Sequence, residues 1–375
     1  MNIGIDARIL ERRVSGIGRY LLGFLYYLSK IDKENNYYLF CYEGLDDFEK
    51  MGYRVIRAQK SKFLPAKLYN FYWLNFILPK ALKENKIDIF WNPNHYLPLK
   101  KMPVKTIITI HDMAHKIDKK YKSFIYRFFY LDFLLPYSAK RADLILTISK
   151  NSKKDIVNLL KIKKKSKIKV IYEAAEKKFK PRKNNIKLKE VQKKYKLPND
   201  FILYVGRIEK RKNIETIIKI ADFLIKKNVK TKIVLVGEGG YSGYDFLIKE
   251  IKKRKKIQHL NYIEDKDLPY IYNLAKVFLF PSFYEGFGLP VLEAMQSGIP
   301  VITSNTSSLP EVVGEGGIMH NPKDYKSFAK DIIKILNNED FYEEMRKKAI
   351  NQAKKFSWQK STKELVDVFN RFKCI

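Results

Sequence analysis

The chain has 375 residues, enough for about two or three domains, and its 46% hydrophobic and 14% aromatic content excludes a disordered protein. Its net charge of +34 admits nucleic acid, an anionic membrane surface or an anionic substrate as partner, but charge alone names none of them. The lysine runs at residues 161–169 and 252–256 read as solvated faces. Cys41 and Cys374 lack metal-ligand spacing and stand far apart, which fits a reducing cytoplasm. The opening MNIGIDARIL has no long apolar region of the signal-peptide kind, and no segment is apolar over a full membrane span. A cytoplasmic location without a membrane helix is therefore expected.

Short β-branched runs alternate with longer helical patterns, the sign of parallel sheets covered by helices. In the first half the strand candidates are residues 3–5, 38–42, 87–91, 106–110 and 144–148. The first leads into Ser15-Gly16-Ile17-Gly18-Arg19-Tyr20, where two glycines spaced by one residue let a backbone approach a pyrophosphate, a weak signal alone. KTIITI then delivers His111 and Asp112 to a strand end, with His115 close behind. His95, in WNPNHYLPL, lies at the neighbouring strand end and is either an acceptor contact or part of a structural loop. Aromatic and basic residues interleave in two stretches that start at Lys60 and Lys119 and fit association with an anionic membrane surface as well as a core.

Residues 177–199, rich in lysine and asparagine, read as a linker. Beyond it the strand candidates are residues 202–205, 233–236, 260–263, 277–280 and 301–303. FILYV ends in Gly206-Arg207, followed by Glu209, Lys210, Arg211 and Lys212, a cationic turn suited to an anion. Asp265-Lys266-Asp267 matches an Asp-x-Asp metal pattern but precedes the helix LPYIYNLA, where aspartates act as caps, so no metal is expected. The most informative stretch is FPSFYEGFGLPVLEAMQSGIP at 280–300. Here Glu285 precedes Gly286, Phe287 and Gly288, and Leu289 with Pro290 opens a helix that carries Glu293 and ends at Gly298. The free amides and positive dipole end of such a helix bind phosphate.

This last segment closely resembles the Glu-x7-Glu signature of the family-4 retaining glycosyltransferases, also called glycosyl transferases group 1, and SGIGRY resembles the mannosyltransferase-like members. The resemblance implies an α/β chain of GT-B architecture, two doubly wound Rossmann-like domains facing a central cleft. Its domains would be 1–180 for the acceptor, 181–355 for the nucleotide sugar, and a helix at 356–375 crossing back to the first. The resemblance further implies that Arg207 and Lys212 hold the donor diphosphate, with Gly206 and the amides of Gly288 and Leu289. Glu285 would hold sugar hydroxyls, Glu293 the ribose, and His111 would lie beside the transferred sugar, with Gly16 and Gly18 facing the phosphates. The expected reaction transfers a hexose from GDP-mannose or a UDP-sugar to a saccharide or lipid-linked acceptor, with no cofactor. Another nucleotide-sugar enzyme of the same fold, an epimerase or a synthase, stays open, as does a basic nucleic-acid-binding protein. No nucleic-acid motif supports the latter.

Overall fold

The computed structural model describes residues 1–11, 16–58, 65–117, 127–183, 186–239 and 245–372. The chain divides into two units, Met1–Glu173 with Trp358–Ile375, and Ala174–Ser357. The division after Glu173 lies several residues ahead of the position expected near 180. Residues 174–179 are folded into the second unit, where Phe179 is fully buried against Tyr272.

The first unit is a seven-stranded parallel sheet of β1 (Asn2–Asp6), β2 (Asn36–Cys41), β3 (Arg54–Arg57), β4 (Ile89–Asn92), β5 (Lys105–Thr109), β6 (Leu144–Thr147) and β7 (Ile168–Val170). Their order is β3-β2-β1-β4-β5-β6-β7, so the direction of winding reverses between β1 and β4. The second unit holds β8 (Phe201–Val205), β9 (Lys232–Val236), β10 (Ile257–Leu260), β11 (Val277–Phe280), β12 (Val301–Ser304) and β13 (Ile318–His320). These run β10-β9-β8-β11-β12-β13, reversing between β8 and β11. In open parallel sheets of this kind ligands bind beyond the carboxyl ends of the strands at such a reversal.

Three strands escape the sequence pattern. β3 and β13 are short, half-buried edge strands. β7 begins inside the lysine run 161–169, where Ile162 and Ile168 are buried and only the lysines between them are solvated, so that run is not simply a solvated face. In the run 252–256, Arg254 is likewise held by Asp222 and Glu250. β10 occupies 257–260 rather than 260–263, because its register pairs Ile257 with Ile233 of β9. The expected linker contains the helix Ile186–Lys194, which buries Val191 and packs on the helix Leu268–Leu274. Lysines at its solvent positions hide that apolar stripe in the composition.

The last helix, Trp358–Arg371, belongs to the first unit and packs on the helix Gly16–Ile31. A Cβ at Gly23 would lie 2.6 Å from ring carbons of Trp358, so the glycine is what lets the two helices approach. Trp358 then meets Phe24 edge-on at 5.1 Å, and Leu365 and Phe369 are fully buried alongside. Each such side chain contributes about 1.5–3 kcal/mol on burial. Among the described residues no helix is long and apolar enough to cross a membrane.

Candidate active site

In the second unit the loops that leave β8 and β11 emerge side by side at the winding reversal. They are tied by the amide of Phe283 donating to the Arg211 carbonyl at 2.9 Å and by the Asn213 side-chain amide donating to the Pro281 carbonyl at 2.9 Å. Lys212 thereby meets Glu285: its Nζ donates to both carboxylate oxygens, at 2.7 and 2.9 Å, and both residues are buried. Arg211 adds a contact of 3.3 Å to the same carboxylate, donates to the Tyr284 carbonyl at 2.7 Å and pairs with Glu209 at 2.7 Å.

Burial pushes the Glu285 carboxyl up, but the charges of Lys212 and Arg211, with the hydrogen bonds from Lys212, outweigh it and hold the group below its ordinary range. Burial also lowers the Lys212 ammonium, against the pull of Glu285. We take the pair as ionised at neutral pH, because a carboxylate with two cations against it gains more from staying charged than burial takes away.

Expected residues are only partly brought together here. Lys212 and Glu285 share one cluster. Arg207 is exposed at the end of β8, where its carbonyl accepts from the Tyr204 hydroxyl at 3.0 Å. The arginine that clamps Glu285 is Arg211, which the sequence offers only as surplus charge. Gly206 lies against Gly237, the residue after β9, which has φ 144; a Cβ at Gly237 would stand 2.1 Å from the Gly206 carbonyl oxygen.

The turn at residues 285–288 is held from behind by a segment after β12 that sequence reasoning missed. The Glu285 amide donates to Ser307 Oγ at 2.8 Å, and Ser308 Oγ donates to the carbonyls of Glu285 and Phe287, at 2.9 and 2.8 Å. Thr306 does the same for Phe283 at 3.1 Å. Its signal is the cluster Asn305-Thr306-Ser307-Ser308 directly after a strand, all small groups that bond backbone. Gly288, at φ 112, then caps the helix Leu289–Ser297, leaving the amide end at Leu289 beside Phe287, itself buried, and Gly286. Gly298 closes the same helix at φ 74.

Glu293 is buried in this helix and accepts a hydrogen bond from the Tyr272 hydroxyl at 2.8 Å. The two glutamates thus have different surroundings, one among cations and one against a phenol. Asp267 stands at the cap position of the helix Leu268–Leu274, yet its carboxylate makes no cap bond. It takes Lys194 at 2.7 Å and Tyr195 at 2.9 Å, so it ties two helices together instead of capping one. Among the described residues no three His, Cys, Asp or Glu side chains converge.

In the first unit, His111 follows β5 and is buried. Its Nε2 lies 2.9 Å from the Pro93 carbonyl, which can only accept, so Nε2 carries the proton and Nδ1 is the acceptor nitrogen. Burial lowers its pKa and keeps the ring neutral. The ring also meets Tyr20 edge-on at 4.7 Å. Gly16 and Gly18 form the first turn of the helix Gly16–Ile31; Gly18 is buried, whereas a Cβ at Gly16 would meet no atom of the described residues within 4 Å. His95 sits in a loop braced by Asn92 and Asn94, its Nδ1 without a partner among the described residues, and burial pushes its pKa down to about 3. Asp112 accepts from the Ala114 amide at 2.9 Å. Cys374 lies outside the described residues, and Cys41 is a buried free thiol.

Comparison with known proteins bears on both units. Glycosyl transferases group 1 matches residues 186–356, and Glycosyltransferase Family 4 matches residues 14–176. The chain is 33% identical over 294 residues to O-antigen chain mannosyltransferase B of Escherichia coli, which covers 77% of this chain and 76% of that protein. The chain belongs to the family-4 glycosyltransferases. It is accordingly an enzyme of glycosyl transfer. Its fold is GT-B: sucrose-phosphate synthase of Thermosynechococcus elongatus superposes with a TM-score of 0.75 at 18% identity, over 100% of this chain and 99% of that one. HepE of Anabaena, solved with UDP and glucose, gives 0.73 at 14% identity over 98% and 99%. As a member of this family the enzyme uses a nucleotide-sugar donor and an acceptor.

Proposed function

We propose that this glycosyltransferase moves mannose from GDP-mannose, with retention at the anomeric carbon and without a metal, onto a saccharide or lipid-linked acceptor in surface-polysaccharide synthesis. The observation that carries the reading is the buried Lys212–Glu285 pair, clamped by Arg211 beside the amide end of the helix Leu289–Ser297. The bond to be broken joins the anomeric carbon to a phosphate oxygen, so charge develops on the leaving diphosphate. Preorganised donors lower that barrier. Lys212 has three N–H donors, and two contacts with one carboxylate leave at least one for a phosphate oxygen. Arg207, exposed at the same strand end, and the amides of Gly288 and Leu289 are the other donors. Glu285, kept ionised by its cations, accepts from sugar hydroxyls, and Glu293 accepts from the ribose. His111, neutral, offers Nδ1 as an acceptor toward the transferred sugar. The choice of mannose rests on the resemblance to the O-antigen mannosyltransferase.

The enzyme works against an anionic membrane surface. Leu68, Phe71, Tyr72 and Phe76 are exposed on consecutive turns, at 59%, 53%, 46% and 46%, while Tyr69 and Trp73 of the same helical run are buried. Lys80 and Lys83 follow on that run, and Lys100 lies over the Phe76 ring at 4.2 Å. Apolar tips flanked by lysines suit an interface of lipid charge and acyl chain. Residues 60–64 and 119–126 of the two aromatic stretches lie outside the described residues.

A panel of nucleotide sugars, screened for equilibrium binding and slow hydrolysis, tests the donor. Selective binding and hydrolysis of GDP-mannose are expected. Hydrolysis of another sugar nucleotide in its place overturns the mannose assignment, and isomerisation without release of sugar overturns transfer.

A further inference from the structure

An open cavity of about 870 Å³ lies where the neighbouring strands β4, β5 and β6 begin, at the opposite end of the first sheet from His111. Asp88, Lys105 and Asp143 line it at those strand starts, and no residue of the candidate active site does. Much of the remaining lining comes from the loop before β5 and from the helix Leu135–Arg141, which are bonded to each other. Arg141 Nη1 donates to the carbonyls of Pro98 and Leu99, at 2.9 and 2.7 Å, and to the Tyr137 hydroxyl at 2.8 Å. That hydroxyl in turn donates to the Leu99 carbonyl at 2.6 Å.

Arg141 is thus held by one nitrogen alone. Nε and Nη2 of this half-buried guanidinium have no partner among the described residues, so a fixed cation keeps three of its five N–H donors open. The acids of the cavity do not answer it: Asp143 accepts from the Thr106 amide and hydroxyl, at 2.8 and 3.1 Å, and Asp88 accepts from the Asn2 amide at 2.8 Å. Lys101 has no partner among the described residues, and Lys105 reaches Asp143 only at 3.8 Å. A guanidinium anchored at one corner presents a fork matched to phosphate. With Leu99, Met102 and Val104 also lining the cavity, the chemistry suits a ligand that carries a phosphate at one end and is apolar at the other.

The surroundings of the cavity point to the source of that ligand. Leu99, 37% exposed, has its amide held by Asn75 Oδ1 at 2.8 Å, and Lys100 next to it lies over the exposed ring of Phe76. Tyr137 stacks at 5.9 Å and 14° on Phe133, which is 52% exposed. The cavity therefore adjoins exposed rings of both aromatic stretches, and a bilayer that takes up these rings brings its headgroups to the cavity mouth. We infer that the cavity is a binding site for the phosphodiester headgroup of an anionic phospholipid, with Arg141 holding the phosphate, Lys101 and Lys105 adding charge, and the first methylenes of the lipid on Leu99 and Met102. The membrane reading given above supplies the source of the phosphate, but occupancy can be read without a membrane.

The test is calorimetric titration of the full chain with dihexanoyl-phosphatidylglycerol held below its micelle concentration. Saturable one-to-one binding is expected, about tenfold tighter than that of dihexanoyl-phosphatidylcholine, which has the same chains and no net charge. Arg141→Lys keeps the charge but not the fork and is expected to weaken binding by about tenfold. Lys101→Glu, at an exposed side chain that makes no structural bond among the described residues, is expected to weaken it by about as much. Lys230→Glu, exposed in the second unit, changes the net charge equally and is expected to leave the affinity unaltered. Equal affinity for the two lipids overturns the site, and so does wild-type affinity in Lys101→Glu and in a folded Arg141→Lys. Inorganic phosphate that binds as tightly as the lipid, with the same losses in the variants, overturns the lipid as occupant.

Flotation with phosphatidylglycerol vesicles separates the site from the membrane reading. Lys101→Glu and Arg141→Lys are expected to float less than Lys230→Glu at the same salt concentration. Variants equal to Lys230→Glu in both assays overturn the inference, while flotation of all of them leaves the membrane reading in place. A wild type that does not float but binds the soluble lipid, with the expected losses in the variants, refutes the membrane reading and leaves the headgroup site standing.

Discussion

Lys212 and Glu285 form the pair on which the site is built, and removing one partner should damage the fold as well as the reaction. In Lys212→Met the stem keeps its volume while Glu285, 6% exposed, retains only the longer contact to Arg211 at 3.3 Å. Breaking a buried pair from one side costs about 3–5 kcal/mol because it strands a charge, and the remaining arginine places this case near 3. For a unit the size of Ala174–Ser357 that corresponds to a fall in Tm of roughly 6–12 °C. The double variant Lys212→Met/Glu285→Gln removes both charges at nearly constant volume, so it should recover most of that loss. A coupling of about 2 kcal/mol or more is expected from the cycle.

Transfer activity should part company with stability across the same variants. Both singles and the double lack the charged groups proposed to meet the donor, and each is expected to fall by about two orders of magnitude or more. Thermal and urea unfolding of the four proteins, with turnover measured on the same preparations, gives both readouts. The pair's contribution is present above the ordinary glutamate value of about 4.5 and is lost as pH falls through the depressed folded pKa of Glu285, so the cycle is best run near neutral pH. A Lys212→Met protein that melts within about 2 °C of wild type, or single effects that simply add in the double, would show that the pair is solvated and the reasoning from burial wrong.

Gly237→Ala puts a Cβ 2.1 Å from the Gly206 carbonyl oxygen at a φ of 144, and should destabilise by about 2 kcal/mol or more in unfolding assays; a neutral substitution would mean that the β8 and β9 loops yield freely. Transfer should persist in excess chelator, since Asp267 is committed to Lys194 and Tyr195; loss of activity restored by magnesium or manganese would reinstate a metal. Flotation with anionic vesicles should recover the wild type at low salt and fail for Leu68→Ser/Phe71→Ser/Phe76→Ser, with binding weakened at high salt; co-flotation of the triple variant would remove that face from the interface.

What the sequence makes legible is set by how local each cause is. The turn at Gly286 to Pro290 can be read because glycine, proline and the apolar spacing of the following helix act on the chain within a few residues. Lys212 and Glu285 can be named by resemblance, but not their mutual burial, because that depends on β8 and β11 being neighbours at the winding reversal. The same limit makes Arg211 look surplus: its contact with the carboxylate is set by the 3-10 turn Lys210–Lys212, whose direction the composition does not contain. β7 and the helix Ile186–Lys194 vanish into lysine-rich sequence because charge on the solvent face outweighs two or three buried residues in any average. Glu173 is the extreme instance. A glutamate after a strand reads as solvent-exposed by default, whereas this one is 4% exposed, which no local pattern announces.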